Sequence, residues 1–156
     1  MMKKAIAIMI GSAMLSTFSV LAEPAKSAKQ AKDVTEFRQA IFTLVKSNVG
    51  ALGAMNKGAI PFDATTMQTN ALRIEQLSLM LEDYFATNTT GFDVETAALD
   101  KVWENQADFK DKISALTAAA SNLNKVAKAG DTSQYKPAIG QVFKSCKGCH
   151  DNYKED

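Results

Sequence analysis

The chain has 156 residues, which suits one domain, and it carries 18 basic and 17 acidic side chains, two cysteines and one histidine. Its formal net charge is +1, and charges of both signs are interspersed along the chain. These values exclude the strongly basic composition of proteins that bind nucleic acids or acidic membrane surfaces.

Residues 1–22 have the pattern of a secretory signal peptide. Met1–Lys4 are basic, Ala5–Leu21 are almost wholly apolar or small, and Ala22 ends a small-residue cleavage signal. The alternative is a retained membrane anchor, but the stretch is short and is interrupted by Gly11, Ser12, Ser16, Thr17 and Ser19. We predict cleavage near Ala22 and export, in a bacterium to the periplasm. Cleavage would remove 22 of 156 residues, two of them lysines, and leave a domain of 134 residues (23–156) with 16 basic and 17 acidic side chains, a net charge of −1.

Helical spacing dominates the rest of the chain, and no hydrophobic run alternates with a period of two. A first helix is predicted after a polar leader, with a core face of Val34, Phe37, Ile41, Leu44 and Val45 and an end at Gly50 and Gly53. A second helix is predicted after the N-cap Asp63, with a core face of Met67, Ile74, Leu77, Leu81 and Tyr84. The run 87–91 breaks it, and residues 93–99 fit either a loop or extra helical turns.

Two further helices follow. The third is predicted from the cap Asp100 to Gly130, with Phe109, Ile113, Leu116, Ala120, Leu123 and Ala127 spaced 4, 3, 4, 3, 4. The fourth begins at residues 131–133 with Pro137 in its first turn, and the same spacing links Tyr135, Ile139, Val142, Cys146, Cys149 and Tyr153. Four helices with short connections predict an all-α, antiparallel up-down-up-down four-helix bundle.

The C-terminal stretch CKGCH contains both cysteines, Cys146 and Cys149, and the only histidine, His150. Cys-x-x-Cys-His is the attachment signature of c-type haem. The thiols lie one helical turn apart and can add to two vinyl groups on neighbouring pyrroles, which places the next residue to reach the iron. We predict one covalently bound haem c per chain, with His150 as the axial ligand.

Other uses of these three residues fit less well. A thioredoxin-like redox pair would need a βαβ context, and structural zinc would need four ligands, whereas the chain has three such residues. A disulfide would close only a tiny loop and stabilise little. Two buried free thiols would be an oxidisable pair in an oxidising compartment.

The second axial position of the iron has no histidine to fill it. Three methionines remain after cleavage: Met67 and Met80 on the predicted second helix, and Met55 in the loop before it. None lies on the predicted first helix, and lysine is usually solvated. An iron with five ligands and an open or blocked sixth position is therefore expected. Such a site suits small-ligand binding, whereas a His–Met pair suits electron transfer.

The chain resembles the class II c-type cytochromes, specifically the cytochrome c′ family. Its haem motif is C-terminal, and three stretches are similar to the family's first, third and fourth helices: EFRQAIFTLVKSNVGAL (36–52), KVWENQADF (101–109) and CKGCHDNYK (146–154). The resemblance implies that Arg38 and Gln39 lie near the haem propionates and edge. It implies that Phe42, which cannot ligate, covers the distal face of the iron.

Further expectations come from the same resemblance. Thr89 and Thr90 align with haem-edge contacts. Lys154 stands where many relatives have an arginine, and lysine lacks that residue's planar fork. Relatives bind nitric oxide and carbon monoxide, exchange electrons with a redox partner and are commonly homodimers through their first two helices. The alternative is a six-coordinate electron carrier, which would have methionine on the first helix. An enzyme is not expected, because no distal acid–base residue is present.

Overall fold

The computed structural model describes residues 22–155, so the predicted signal peptide lies, apart from Ala22, outside the described residues. The helices are α1 (Ala28–Asn56), α2 (Ala64–Phe85), α3 (Lys101–Glu104), α4 (Gln106–Ala129) and α5 (Thr132–Tyr153). The strands β1 (Glu23–Pro24) and β2 (Thr87–Asn88) form a short parallel pair. The four long helices confirm the predicted all-α four-helix bundle.

Helix α1 is longer than predicted. It begins after the cap Ser27, whose hydroxyl accepts a hydrogen bond from the Gln30 amide, and it continues through Gly50 and Gly53. The predicted end at these glycines was wrong, since the chain turns only at Gly58, where φ is +72°. A Cβ added at Gly53 would lie 3.4 Å from the Phe143 ring, so this glycine lets α5 approach closely.

The buried face of α1 also differs in part from the prediction. Ile41 and Val45 are buried as expected, but Phe37 and Leu44 are 51% and 52% exposed. Arg38 is buried instead, at 2% exposure. Apolar spacing alone could not distinguish a core face from an adjacent apolar face that stays outside.

Helix α2 begins as predicted. The Asp63 carboxylate accepts a hydrogen bond from the Thr66 amide at 2.6 Å. Of the predicted core positions, Met67, Ile74 and Leu81 are buried, while Leu77 and Tyr84 are half-buried.

Residues 89–100 form a loop rather than extra helical turns. This loop is held to the C-terminus of the chain. The Leu99 amide donates to the Tyr153 carbonyl at 3.0 Å, and the Glu155 amide donates to the Ala97 carbonyl at 2.8 Å.

The predicted third helix is two helices, because the chain breaks at Asn105 between α3 and α4. Asp100 precedes α3, but its side chain makes no cap hydrogen bond. The end at Gly130 is confirmed by its φ of +70°. All six predicted core positions of α4 are buried.

Pro137 lies in the second turn of α5, not in the first as predicted. Without an N–H it leaves the Ser133 carbonyl without the usual i→i−4 bond. The cap Asp131 accepts from the Ser133 amide at 3.1 Å and thereby supports this first turn.

The core has two parts along the bundle. One is centred on Leu52, Met67 and Ile139, and the other on Phe85, Phe109 and Tyr153. Helices α1 and α5 make far less contact with each other than α1 makes with α2 or α4 with α5, so a cleft remains between them. Over the described residues, every helix is too short or too polar to cross a bilayer.

Candidate functional site

The cleft between α1 and α5 is a cavity of about 600 Å³. All five helices, residues 96–98 of the loop and Lys154 supply its walls, and most of the lining is apolar. This volume lies within the range of cofactor sites, about 300–1,000 Å³. Residues of both parts of the core line the cavity, so an apolar occupant would contact both.

The Cys-x-x-Cys-His motif lies in the last two turns of α5, and its three side chains line this cavity, as predicted. Cys146 packs against one part of the core and Cys149 against the other. Both are half-buried free thiols. Burial raises the pKa of Cys146, and burial together with the Cys146 charge raises the pKa of Cys149 to about 11. The folded chain therefore keeps both thiols protonated at neutral pH.

His150 lies at the mouth of the cavity. Partial burial lowers its pKa, and the Lys154 charge lowers it further, against an opposite effect of Asp151. The imidazole is therefore neutral at neutral pH, which is the form that ligates iron. Within residues 22–155, no group of three or more His, Cys, Asp or Glu side chains is arranged to hold a metal ion.

Phe42 lies on α1 and lines the same cavity, as predicted. Its ring is 38% exposed and contacts Phe85 edge-on, with centroids 6.3 Å apart. None of the described methionines lines the cavity. Met67 is buried in the other part of the core and Met80 is exposed.

Met55 was predicted in a loop and off the first helix, which was wrong. It lies in the last turn of α1 because the helix passes through both glycines. Its side chain is buried with Leu52 and Met67, away from the cavity. The conclusion that no first-helix methionine reaches the cofactor site is unchanged.

Arg38 connects the cavity wall to the loop. Its Nε and Nη2 donate to the Tyr84 carbonyl at 3.0 and 2.8 Å, Nη1 donates to the Thr89 hydroxyl at 3.2 Å, and Nη2 also donates to the Thr87 carbonyl. The guanidinium carbon lies 4.6 Å from the centre of the Phe85 ring. Burial lowers the pKa of Arg38 to about 10, so it remains charged at neutral pH. One N–H of Nη1 is left over for an acceptor in the cavity, such as a propionate.

Of the other predicted haem-edge residues, one lines the cavity and two do not. Gln39 lines the cavity, and its amide donates to the Glu95 carbonyl at 2.9 Å. Thr89 is buried behind Arg38, and Thr90 is exposed; neither lines the cavity. Their haem contacts stay predictions.

Sequence reasoning missed the link between Tyr153 and Asp108. Tyr153 is 4% exposed, lines the cavity one turn after Cys149, and donates its hydroxyl to Asp108 at 2.5 Å. Lys112 lies 3.4 Å from the other Asp108 oxygen. Helical spacing placed Tyr153 on the core face but gave no signal for a partner 45 residues away.

We expect Tyr153→Phe to lower the free energy of unfolding by about 1 kcal/mol, the usual effect of one lost hydrogen bond. Burial and the Asp108 carboxylate raise the Tyr153 pKa to about 12. The stabilisation from this neutral phenol is complete below its unfolded pKa of about 10 and is lost as pH rises through 12. Denaturant unfolding at pH 7 and at alkaline pH measures both effects.

Tyr135→Phe is the matched control, because Tyr135 is also buried and its hydroxyl has no hydrogen-bond partner in the described part of the chain. Equal destabilisation by the two substitutions would contradict the assigned role of the Asp108 bond.

The sequence profile described as Cytochrome C' matches residues 33–154. Cytochrome c' of Rubrivivax gelatinosus is 37% identical over 124 residues, which cover 79% of this chain and 95% of that protein. The structure of cytochrome c prime from Shewanella frigidimarina is 39% identical, with a TM-score of 0.74 and coverage of 85% of this chain and 99% of that one. A nitric oxide complex of an Alcaligenes xylosoxidans cytochrome c prime variant is 31% identical, with a TM-score of 0.72 and coverage of 81% and 96%.

The profile covers most of the chain, and relatives more than 30% identical match it over nearly their full length. The apolar cavity, its two free thiols and its neutral imidazole fit the cofactor of these proteins. The chain belongs to the cytochrome c′ family, and its cofactor is covalently bound haem c.

Proposed function

We propose that the protein is a periplasmic haem protein that binds nitric oxide and carbon monoxide at an iron held by one protein ligand, and that it also transfers electrons. The haem supplies an axial coordination position and a ferric–ferrous couple. The observation that carries the proposal is the cavity lining, which has one imidazole and no methionine among the described residues.

The motif residues have separate roles in this proposal. Cys146 and Cys149 form the two thioether bonds that fix the haem edge to α5, and neutral His150 is the axial ligand. Arg38 and Gln39 lie at the α1 wall, where the free N–H of Arg38 suits a propionate oxygen. Each role is supported by the position of these residues on the walls of one cavity.

Phe42 determines which ligands the distal side accepts. A benzyl ring fills space, donates no hydrogen bond and admits only small molecules. The nearby Thr43 hydroxyl donates to the Gln39 carbonyl, and one of the two N–H groups of the Gln39 amide donates to the Glu95 carbonyl, which holds that amide toward the loop. Bound oxygen gains from a hydrogen-bond donor, so we propose that this side favours nitric oxide and carbon monoxide over oxygen. The nitric oxide complex of the Alcaligenes xylosoxidans relative supports the same ligand class.

The purified protein tests this proposal through its optical and electron paramagnetic resonance spectra, recorded with and without nitric oxide. A high-spin, five-coordinate signature that changes on addition of nitric oxide is the expected result. A low-spin His–Met signature would refute the proposal and favour the six-coordinate electron carrier.

We also propose a homodimer formed through the outer faces of α1 and α2. Phe37 and Leu44 lie two turns apart on α1, Leu72 and Leu79 lie two turns apart on α2, and all four are exposed. Large apolar side chains grouped on adjacent helices are typical of interaction surfaces.

Leu44→Glu should therefore convert the dimer to a monomer, because it buries a carboxylate without a partner in an apolar interface. Sedimentation equilibrium across a range of protein concentrations measures the change. Ile60→Glu is the control, since Ile60 is similarly exposed but lies in the loop between α1 and α2. An interface elsewhere would leave the Leu44→Glu protein dimeric.

A further inference from the structure

The charged side chains that line the cavity all have one sign. They are Arg38, Lys46, Lys112 and Lys154, and none of the described carboxylates lines the cavity. Asp108, which bonds to Tyr153 and lies 3.4 Å from Lys112, and Asp151, which acts on His150, offset part of this charge. The lining itself has an excess of positive charge, and a cleft with low-dielectric walls concentrates the field of such charges at its mouth.

Three of these cations, Lys46 on α1, Lys112 on α4 and Lys154 after α5, form what we call the basic rim. Lys46 and Lys154 are exposed, and neither has a carboxylate within salt-bridge distance in the part of the chain that the structure describes. Lys112 is partly neutralised by Asp108 at 3.4 Å. Lys46 and Lys154 thus carry most of the free positive charge.

The haem does not neutralise this group fully. Its two propionates can balance two of the four cations. Arg38 is buried and has one N–H without a partner among its hydrogen bonds in the described residues, so it suits one propionate, and the exposed lysines retain a net positive charge at the mouth. The loaded cavity therefore still presents cations to solvent.

This local charge is opposite to that of the whole domain. The chain cut near Ala22 has 16 basic and 17 acidic side chains, a net charge of −1. A positive cavity mouth on a slightly acidic protein orients the molecule in the field of an approaching anion.

We propose that the basic rim is the docking face for an acidic redox protein that exchanges electrons with the haem. This inference rests on the proposed electron-transfer function. Opposite charges raise the association rate and turn the partner's carboxylates toward the haem edge. The faces proposed for dimer formation remain free, because Lys46 is two residues, or about 200° around α1, from Leu44.

Small redox reagents of opposite charge test the face directly. Ferrous protein gives one electron to hexacyanoferrate(III), a trianion, or to tris(phenanthroline)cobalt(III), a trication. For the native protein, the ratio of the anionic to the cationic rate should fall several-fold as ionic strength rises from about 0.01 M to about 0.15 M. Because the domain as a whole is slightly acidic, a flat or rising ratio would overturn the proposal.

Lys46→Glu/Lys154→Glu should lower this ratio about tenfold at low ionic strength, and the corresponding double glutamine variant should lower it less. Lys57→Glu/Lys128→Glu is the matched control, with the same change in net charge at the end of the bundle where α1 and α4 finish. Equal effects of the two reversals would overturn the proposal. Both oxidation rates are measured on the same protein sample, so a change in the haem reduction potential affects both and largely drops out of their ratio.

Two measurements that do not depend on electron transfer complete the test. Hexacyanochromate(III) should broaden the amide signals near Lys46 and Lys154 in the isotope-labelled protein, and broadening elsewhere would contradict the assignment. The native protein should not sediment with phosphatidylglycerol vesicles. If it does, and Lys46→Glu/Lys154→Glu abolishes that sedimentation, the basic rim binds lipid and the proposal is overturned. If the spectrum is five-coordinate but these tests fail, the docking face alone is wrong.

Discussion

Replacing both Cys146 and Cys149 by serine should abolish covalent haem attachment. Serine hydroxyls do not add to haem vinyl groups, and no other cysteine is available in the chain. Mass spectrometry of the exported protein should give the polypeptide mass alone, whereas the native protein should show the mass of one added haem. The same spectrum locates the cleavage site near Ala22.

Ser145→Ala is the control, because Ser145 also lines the cavity and its hydroxyl only donates to the Val142 carbonyl at 2.7 Å. A haem mass retained by the double serine variant would refute the assigned anchors.

The same variant should lose cooperative unfolding. The cavity of about 600 Å³ is lined by residues of both parts of the core. Without the cofactor these apolar walls would lose their packing partner, at a cost that is a large part of the stability of a small domain. Water or collapse of α1 onto α5 must relieve this cost, so loose packing is expected in thermal unfolding followed by near-ultraviolet circular dichroism. A sharp transition would contradict it.

Phe42→Met should convert the iron from five to six ligands, since it places a thioether on the α1 wall of the cavity. We expect a low-spin spectrum, a reduction potential higher by on the order of 0.1 V, and weaker binding of nitric oxide. Paramagnetic resonance and a redox titration measure these changes.

Phe42→Leu separates ligation from the loss of the ring, because leucine has no donor atom and is also apolar. It should stay high-spin and bind carbon monoxide faster than the native protein. A high-spin spectrum from Phe42→Met would show that the side chain at this position does not face the iron.

The haem motif and the four long helices were predictable because each depends on local signals. Cys-x-x-Cys-His is contiguous, and the 4, 3 spacing from Phe109 to Ala127 matches the buried face of α4 in full. Caps such as Asp63 are also local, since the side chain bonds to an amide only three residues away.

The wrong predictions arose where contacts between residues far apart in the sequence determine the structure. Gly53 favours a helix end by local propensity, but it lies inside α1 and faces the Phe143 ring, 90 positions further along the chain. Phe37 and Leu44 fit the apolar period yet stay outside. Arg38 is buried because the carbonyls of Tyr84, at the end of α2, and Thr87, in β2, accept its N–H groups. No pattern along the chain reports such partners.

The raised pKa values of the two cysteines define an order of events during biogenesis. Only the thiolate is a good nucleophile, and a thiol with a pKa of about 11, as at Cys149, supplies little of it near neutral pH. Both thiols also lie half-buried on the walls of the cavity once α5 has docked. We therefore expect haem attachment to be faster while α5 is still solvated than after the bundle has closed, so early compaction of the exported chain would slow its maturation.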